Sequence, residues 1–242
     1  MKRNNVLMML LALILFAACE CESGGTRNLA FSVTERQEEL TESFNQIELE
    51  GNFEVYLFNG SEHKVVLEGN EELLNWVVMK VENNVLKVSY LKDRVIKKGQ
   101  SVILEITVQD LQRFTAASAL KLITPDVFQF DEMSLDMAGA VSMELNLKGN
   151  VLDGHLAGAT SIKAHGNVDE IRFEMPGAGK LEAFELKARK VNLILAGAGK
   201  AEVFASEELK VDIAGACSVL YKGHPERVFS NVSGIGRVRQ AD

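Results

Sequence analysis

Long apolar runs are nearly missing from this chain. The one clear run, residues 6–16, is too short to cross a bilayer. Three cysteines in 242 residues, at 19, 21 and 217, cannot build a disulfide framework, and none stands at Cys-x-x-Cys zinc spacing. A Cys21–Cys217 bridge is not expected, because it would join the leader to the far end of the chain. Only three prolines are present and aromatics make up 7%, so any core must be filled by Val, Ile, Leu, Met and Ala. Cationic excess is absent as well. Lys and Arg number 26 against 34 Asp and Glu, a formal net charge of −8 that repels phosphate backbones and excludes a nucleic-acid partner. The calcium-binding nonapeptide repeat and phosphate-cradling glycine loops are missing too, so neither a metal nor a cofactor is expected.

What the chain does have is a repeat. Short Gly/Ala tracts centre on Gly139, Gly158, Gly177, Gly197, Gly215 and Gly234, 18 to 20 residues apart, with Ala117-Ser118-Ala119 as a degenerate earlier member. Self-similarity at such a period marks a solenoid. Two residues before each glycine stand Met137, Leu156, Met175, Leu195, Ile213 and Val232. Four residues after come Met143, Ile162, Leu181, Ala201, Val219 and Val238, with polar residues interleaved. Apolar and polar positions alternate with period two, which is strand patterning with one buried face. A leucine-rich or helical repeat would show a 3.6-residue period.

Circuits of about 19–20 residues, each two or three short strands joined by tight corners and stacked about 4.8 Å apart, predict an all-β parallel β-helix, a β-solenoid. The six glycines are then a structural corner ladder, because glycine allows φ > 0 and neighbouring alanines keep a crowded corner small. Asp153-Gly154, Gly149-Asn150 and Gly166-Asn167 are further corner candidates. Residues 113–242 form the regular coils.

The N-terminus speaks to location. Met1-Lys2-Arg3 is a basic start, the apolar run follows, and Ala17-Ala18 precede Cys19. A short apolar run ending at small residues is a secretory signal. A cysteine at the cleavage point resembles the bacterial lipoprotein signal, which implies residues 1–18 as signal peptide and Cys19 as the lipidated residue. Acyl chains contribute roughly 0.8 kcal/mol per buried CH₂, so the membrane becomes a partner through the anchor. Residues 19–42 read as a flexible acidic tether without strand alternation. Acidic residues directly after Cys19 resemble the surface-export signal of Bacteroidetes-type lipoproteins, which implies an outer-membrane protein at the cell surface, with the periplasmic face as the alternative.

Residues 43–112 are less regular. A long alternating stretch from Phe44 to Phe58 turns at Asn59-Gly60, and residues 64–68 read as its returning strand. Residues 71–76 suggest one helical turn, Asn83-Asn84 a hairpin, 93–100 a basic loop and 102–108 another strand. Open ends of a solenoid need atypical covering elements, so these residues are expected to form the irregular first coils or cap of one domain spanning 43–242.

Three features together resemble the putative auto-transporter adhesin head GIN domain family over residues 43–225. They are the opening Phe44-Asn45-Gln46-Ile47-Glu48-Leu49-Glu50-Gly51-Asn52-Phe53-Glu54-Val55-Tyr56-Leu57, the serial Gly-Ala-Gly tracts, and the closing Gly215-Ala216-Cys217-Ser218-Val219-Leu220-Tyr221-Lys222-Gly223-His224-Pro225. The resemblance implies a right-handed all-β helix on envelope lipoproteins of Bacteroidetes-like bacteria, and it brings no catalytic residues.

Circuits this short leave no room for the long loops from which β-helix lyases build clefts, so no enzyme is expected. His155 and His165 read as solvated surface histidines. Lys180, Lys200 and Arg237 share one column and form a speculative surface contact line for an anionic glycan. Glu182 and Glu202 two residues on equally make that column an ordinary charged ladder. The expected function is a lipid-anchored, non-catalytic surface used in adhesion or envelope scaffolding, with a surface glycan or protein as ligand. The alternative is a carbohydrate-binding or lyase-like β-helix acting on polysaccharide. The strand pattern of residues 234–239 ends abruptly and suggests an end-to-end dimer.

Overall fold

Alternation in the sequence becomes alternation in space. Strand β3 (Phe53–Asn59) buries Phe53, Val55 and Leu57, and β7 (Val102–Val108) buries Val102, Leu104, Ile106 and Val108. The computed structural model describes residues 33–39, 42–92, 94, 96 and 100–241. The signal peptide, Cys19, Cys21 and residues 19–32 of the expected tether lie outside the described residues, as do 93, 95 and 97–99 of the basic loop.

The elements in chain order are β1 (Val33–Glu39), β2 (Gln46–Glu50), β3, β4 (Lys64–Asn70), a four-residue helix α1 (Glu71–Leu74), β5 (Val77–Glu82), β6 (Val85–Tyr90) and β7. They continue with β8 (Arg113–Ile123), β9 (Phe128–Gln129), a continuous extended run β10 (Glu132–Lys222), β11 (Arg227–Gly234) and β12 (Arg237–Gln240). All strands join one sheet, ordered β1-β4-β7-β3-β8-β2-β6-β5, with β10 carrying β8, β9, β11 and β12.

This sheet overturns the expected architecture. A right-handed parallel β-helix from residue 43 onward would pair parallel throughout, yet β1 pairs antiparallel with β4, β4 with β7, and β5 with β6. The chain forms an all-β mixed sheet, an open half-barrel, in which residues 33–108 mix antiparallel ladders with the parallel pairs β2–β6 and β3–β7, while the ladders of β8 and β10 are all parallel. Between β5 and β6 the cause is local turn chemistry. Asn83 and Asn84 both take φ > 0 (52° and 64°), the two-residue turn that matches strand twist, and they fold β6 back onto β5 with Glu82 opposite Val85. The expected return of β4 onto β3 does not occur either, because β7 lies between them, parallel to β3 and antiparallel to β4.

The tether reading fails at its end, where residues 33–39 form β1 with Glu35 opposite Glu68 and Arg36 opposite Leu67. Backbone pairing to β4 orders this segment without needing the apolar alternation that the sequence lacks there. Helix α1 is capped by Asn70, whose side chain accepts from the Glu72 backbone N–H at 2.9 Å, and it buries Leu73 and Leu74.

In β8 and β10 the ladders are parallel, and the repeat spacing sets their register. Ser118 stands opposite Gly139, and Gly215 opposite Gly234 of β11. A continuous apolar core runs under both parts, from Phe44 and Ile47 to Ile213 and Val219. Burying each Val, Leu, Ile, Phe or Met contributes roughly 1.5–3 kcal/mol.

Candidate functional site

The Gly/Ala tracts face outward. Ala138, Gly139 and Ala140 are exposed, as are Gly177-Ala178 and Ala196-Gly197-Ala198. Glycine is needed at Gly177 because φ is +133° and an added Cβ would stand 2.3 Å from the Gly158 carbonyl oxygen. Gly139 meets Ser118, and Gly158, Gly197, Gly215 and Gly234 each meet the preceding glycine, in the same way. Gly166, φ +116°, would likewise set a Cβ 2.0 Å from the Leu147 carbonyl oxygen. Gly154 differs. It is buried and leaves room for the Phe173 ring, 2.7 Å from its virtual Cβ.

Cys217 is buried, its Sγ 3.7 Å from the Gly197 carbonyl oxygen, and burial pushes its thiol pKa up.

The strand after each tract presents columns of outward side chains. Lys180 bonds Glu182 at 3.0 Å, Lys200 bonds Glu202, and Arg237 lies on β12 opposite Ser218. The register extends this column to Lys121 and Glu54. Lys121 Nζ lies 2.8 Å from Glu54 Oε1, and the Tyr56 hydroxyl donates to the same oxygen at 2.9 Å. The Lys121 hydrogen bond holds the Glu54 carboxyl below its usual range, while the Glu54 carboxylate pushes the Tyr56 hydroxyl up. Charges on this column are therefore largely compensated within the chain.

A neighbouring column escaped the sequence reading. His165, Phe184, Phe204 and Lys222 each stand seven residues after a central glycine and point outward. Lys187 Nζ lies 4.4 Å from the Phe204 ring centre and donates to the Phe184 carbonyl at 3.0 Å. Lys222 Nζ lies 4.9 Å from the Phe184 ring. These are cation–π contacts, in which the ring quadrupole attracts the ammonium. Lys163, His165, Asn167, Phe184, Glu185 and Lys187 edge a concave surface of about 830 Å³. A second concavity of about 450 Å³ shares Asn167 and Lys187 and adds Lys148, Arg189 and Phe204. Arg189 is held bidentately by Glu207 at 2.7 and 3.2 Å.

His155 lies on the other face, 3.5 Å from Glu174, so the two histidines do not converge. Among the described residues no cluster of three or more His, Cys, Asp or Glu is placed to hold a metal ion, and no helix is long and apolar enough to cross a membrane.

The model of the family described as "Putative auto-transporter adhesin, head GIN domain" matches residues 43–225. The chain belongs to this family. No curated protein matches the sequence. Among solved structures, one described as a putative adhesin from Bacteroides fragilis NCTC 9343 superposes with a TM-score of 0.80 at 19% identity, covering 87% of this chain and 97% of that one. One described as a putative lipid binding protein from Parabacteroides distasonis ATCC 8503 gives 0.68 at 23% identity, covering 88% and 98%. A further putative adhesin, from Parabacteroides merdae ATCC 43184, gives 0.65 at 20%, again covering 88% and 98%. At these identities the likeness concerns the fold. Membership of an adhesin-type head GIN family points to a cell-surface or envelope protein.

Proposed function

We propose that this head GIN chain is a lipid-anchored protein of the outer membrane, tied down through Cys19, that presents a non-catalytic all-β surface to ligands outside the cell. One observation carries the reading. The family match opens at residue 43, downstream of a stretch, residues 1–19, with the order of a lipoprotein signal: basic start, short apolar run, small residues, cysteine. Anchor and presented surface then divide the chain between them. Outward columns of side chains, repeated rung after rung, supply a broad contact area rather than a closed pocket.

Metabolic labelling with a radioactive fatty acid tests the anchor. The full chain should take up label, and Cys19→Ser should abolish it and release the protein from membranes. Protease added to intact cells then tests display, since a surface protein is shaved and one facing the periplasm is protected. A chain that stays unlabelled, or that is labelled but protected, defeats the anchor or the display half of the proposal respectively.

A further inference from the structure

The aromatic–basic concavity on β10 has the character of a binding site that the paired column beside it lacks. Three glutamates border it, and their charge is already engaged. Glu182 and Glu202 are held by Lys180 and Lys200, and Glu185 lies 3.8 Å from Lys187. Two cationic or cationisable groups on the same rim are unspent. Among the described residues Lys163 and His165 make no ion pair or side-chain hydrogen bond, and neither does Lys148 at the adjoining concavity. Lys187 spends its ammonium group on the Phe204 ring, the Phe184 carbonyl and Glu185, and Lys222, among the described residues, on the Phe184 ring alone, which leaves donor capacity toward solvent above all at Lys222. Asp169 at the adjoining concavity is paired as well, to Arg189 at 3.7 Å, so the groups left unpaired on the rim are basic, on a chain whose formal net charge is −8.

Alternating rings and ammonium groups suit one ligand chemistry. A pyranose offers an apolar C–H face to an aromatic ring, and a carboxylate or sulfate on the same sugar takes charge-assisted hydrogen bonds from lysine. The groups lie on successive rungs, Lys163 and His165, then Phe184 and Lys187, then Phe204, then Lys222, so the site is open and elongated across the strands. Strands sit about 4.8 Å apart, which favours a chain of sugars over a compact molecule.

We infer that the two adjoining concavities, with Lys222 beside Phe184, bind an acidic polysaccharide, with uronate or sulfate groups on Lys163, Lys187 and Lys222 and sugar faces against Phe184 and Phe204. The inference names a ligand class for the surface-presentation reading and rests on it for biological context. Binding itself is measured on purified full-length protein, so a failure of anchoring or display leaves this test intact.

Isothermal titration with polygalacturonate and heparin, and with neutral dextran as control, provides the readout. At least one acidic polymer should bind, dextran should not, and affinity should fall with added salt. K163A/K222A should weaken binding tenfold or more. K80A/K87A, on β5 and β6 outside the lining of either concavity, should change it less than twofold. Phe184→Ala should weaken it several-fold, while the lysine variants keep the proposal testable if that variant folds poorly. Equal binding of dextran, no binding of either acidic polymer, binding of anionic phospholipid vesicles in their place, or K163A/K222A binding like the parent would each overturn the assignment.

Discussion

The two parts of the sheet reach the same core by opposite means. In residues 33–108 parallel and antiparallel ladders are mixed, and large side chains fill the interior. Phe44, Phe53, Leu67, Leu86 and Leu104 are all buried, and Tyr90 stacks on Phe53 at 4.7 Å. From β8 onward direction is kept, small residues fill the Gly/Ala tracts, and backbone lies on backbone at each tract. The first part is specified by volume and the second by the absence of volume. They should therefore fail differently. Enlarging a residue should damage the second part, and shrinking one should damage the first.

Strand β8 is where the two meet. Phe114 stands opposite Ile47 of β2 on one side and Leu135 of β10 on the other, fully buried. Phe114→Ala should give the largest loss, about 3–5 kcal/mol in chemical denaturation. Because both parts share that ring, fluorescence from Trp76 and far-ultraviolet circular dichroism should lose stability together. Separate transitions would show that the parts are independent.

Next comes Gly177→Ala, which adds one carbon where φ is +133° and a carbonyl lies 2.3 Å away. The contact is with backbone, which cannot rotate aside, so a loss of about 3 kcal/mol or more is expected. Gly154→Ala presses instead on the Phe173 side chain and should cost about 1–3 kcal/mol. Equal losses at the two sites would remove the distinction between corner glycines and space-making ones.

Alkaline titration separates the parts further. Burial, partly opposed by the Val102 backbone N–H, pushes the Tyr90 hydroxyl up to about 12, and its proton is donated to the Asn52 carbonyl at 2.9 Å. A folded pKa above the unfolded value of about 10 means the neutral form is favoured by folding. That contribution is complete below pH 10 and is lost as pH rises through 12, on the order of 2–3 kcal/mol. Tyr90→Phe should be the weaker protein at pH 9 and should close the gap by pH 12. A gap independent of pH would exclude Tyr90 as its source.

These contrasts also explain how much the sequence revealed. Repeat period, register along the tracts, strand β7, helix α1 and the Asn83-Asn84 hairpin are local or periodic, and they were legible. Strand direction was not, because parallel and antiparallel partners bury the same alternating faces. The place of β7 between β3 and β4 depends on pairings between distant segments, such as Phe53 with Val102 and Lys64 with Thr107, which no local pattern encodes. Strand β1 carries VTERQEE, which reads as a solvated tether, and only its partner β4 makes it a strand. The aromatic column could have been found. Carrying the alignment on the central glycine to the seventh following residue brings His165, Phe184, Phe204 and Lys222 into line.

The smallest expected effect tests the turn that reverses β5 into β6. Asn83 and Asn84 both hold φ > 0, a conformation that asparagine tolerates and glycine adopts freely. Replacing Asn84 by glycine relieves the strain at φ 64° but widens the unfolded ensemble, so the two effects oppose each other. Asparagine-glycine is nevertheless the favoured pair for this turn. A gain of about 0.5 kcal/mol in the denaturation midpoint is expected. Asn84→Val, β-branched where φ must be positive, should instead lose about 1–2 kcal/mol. If valine were tolerated as well as glycine, the reversal of β5 into β6 would be imposed by the surrounding sheet, and the turn would be its consequence.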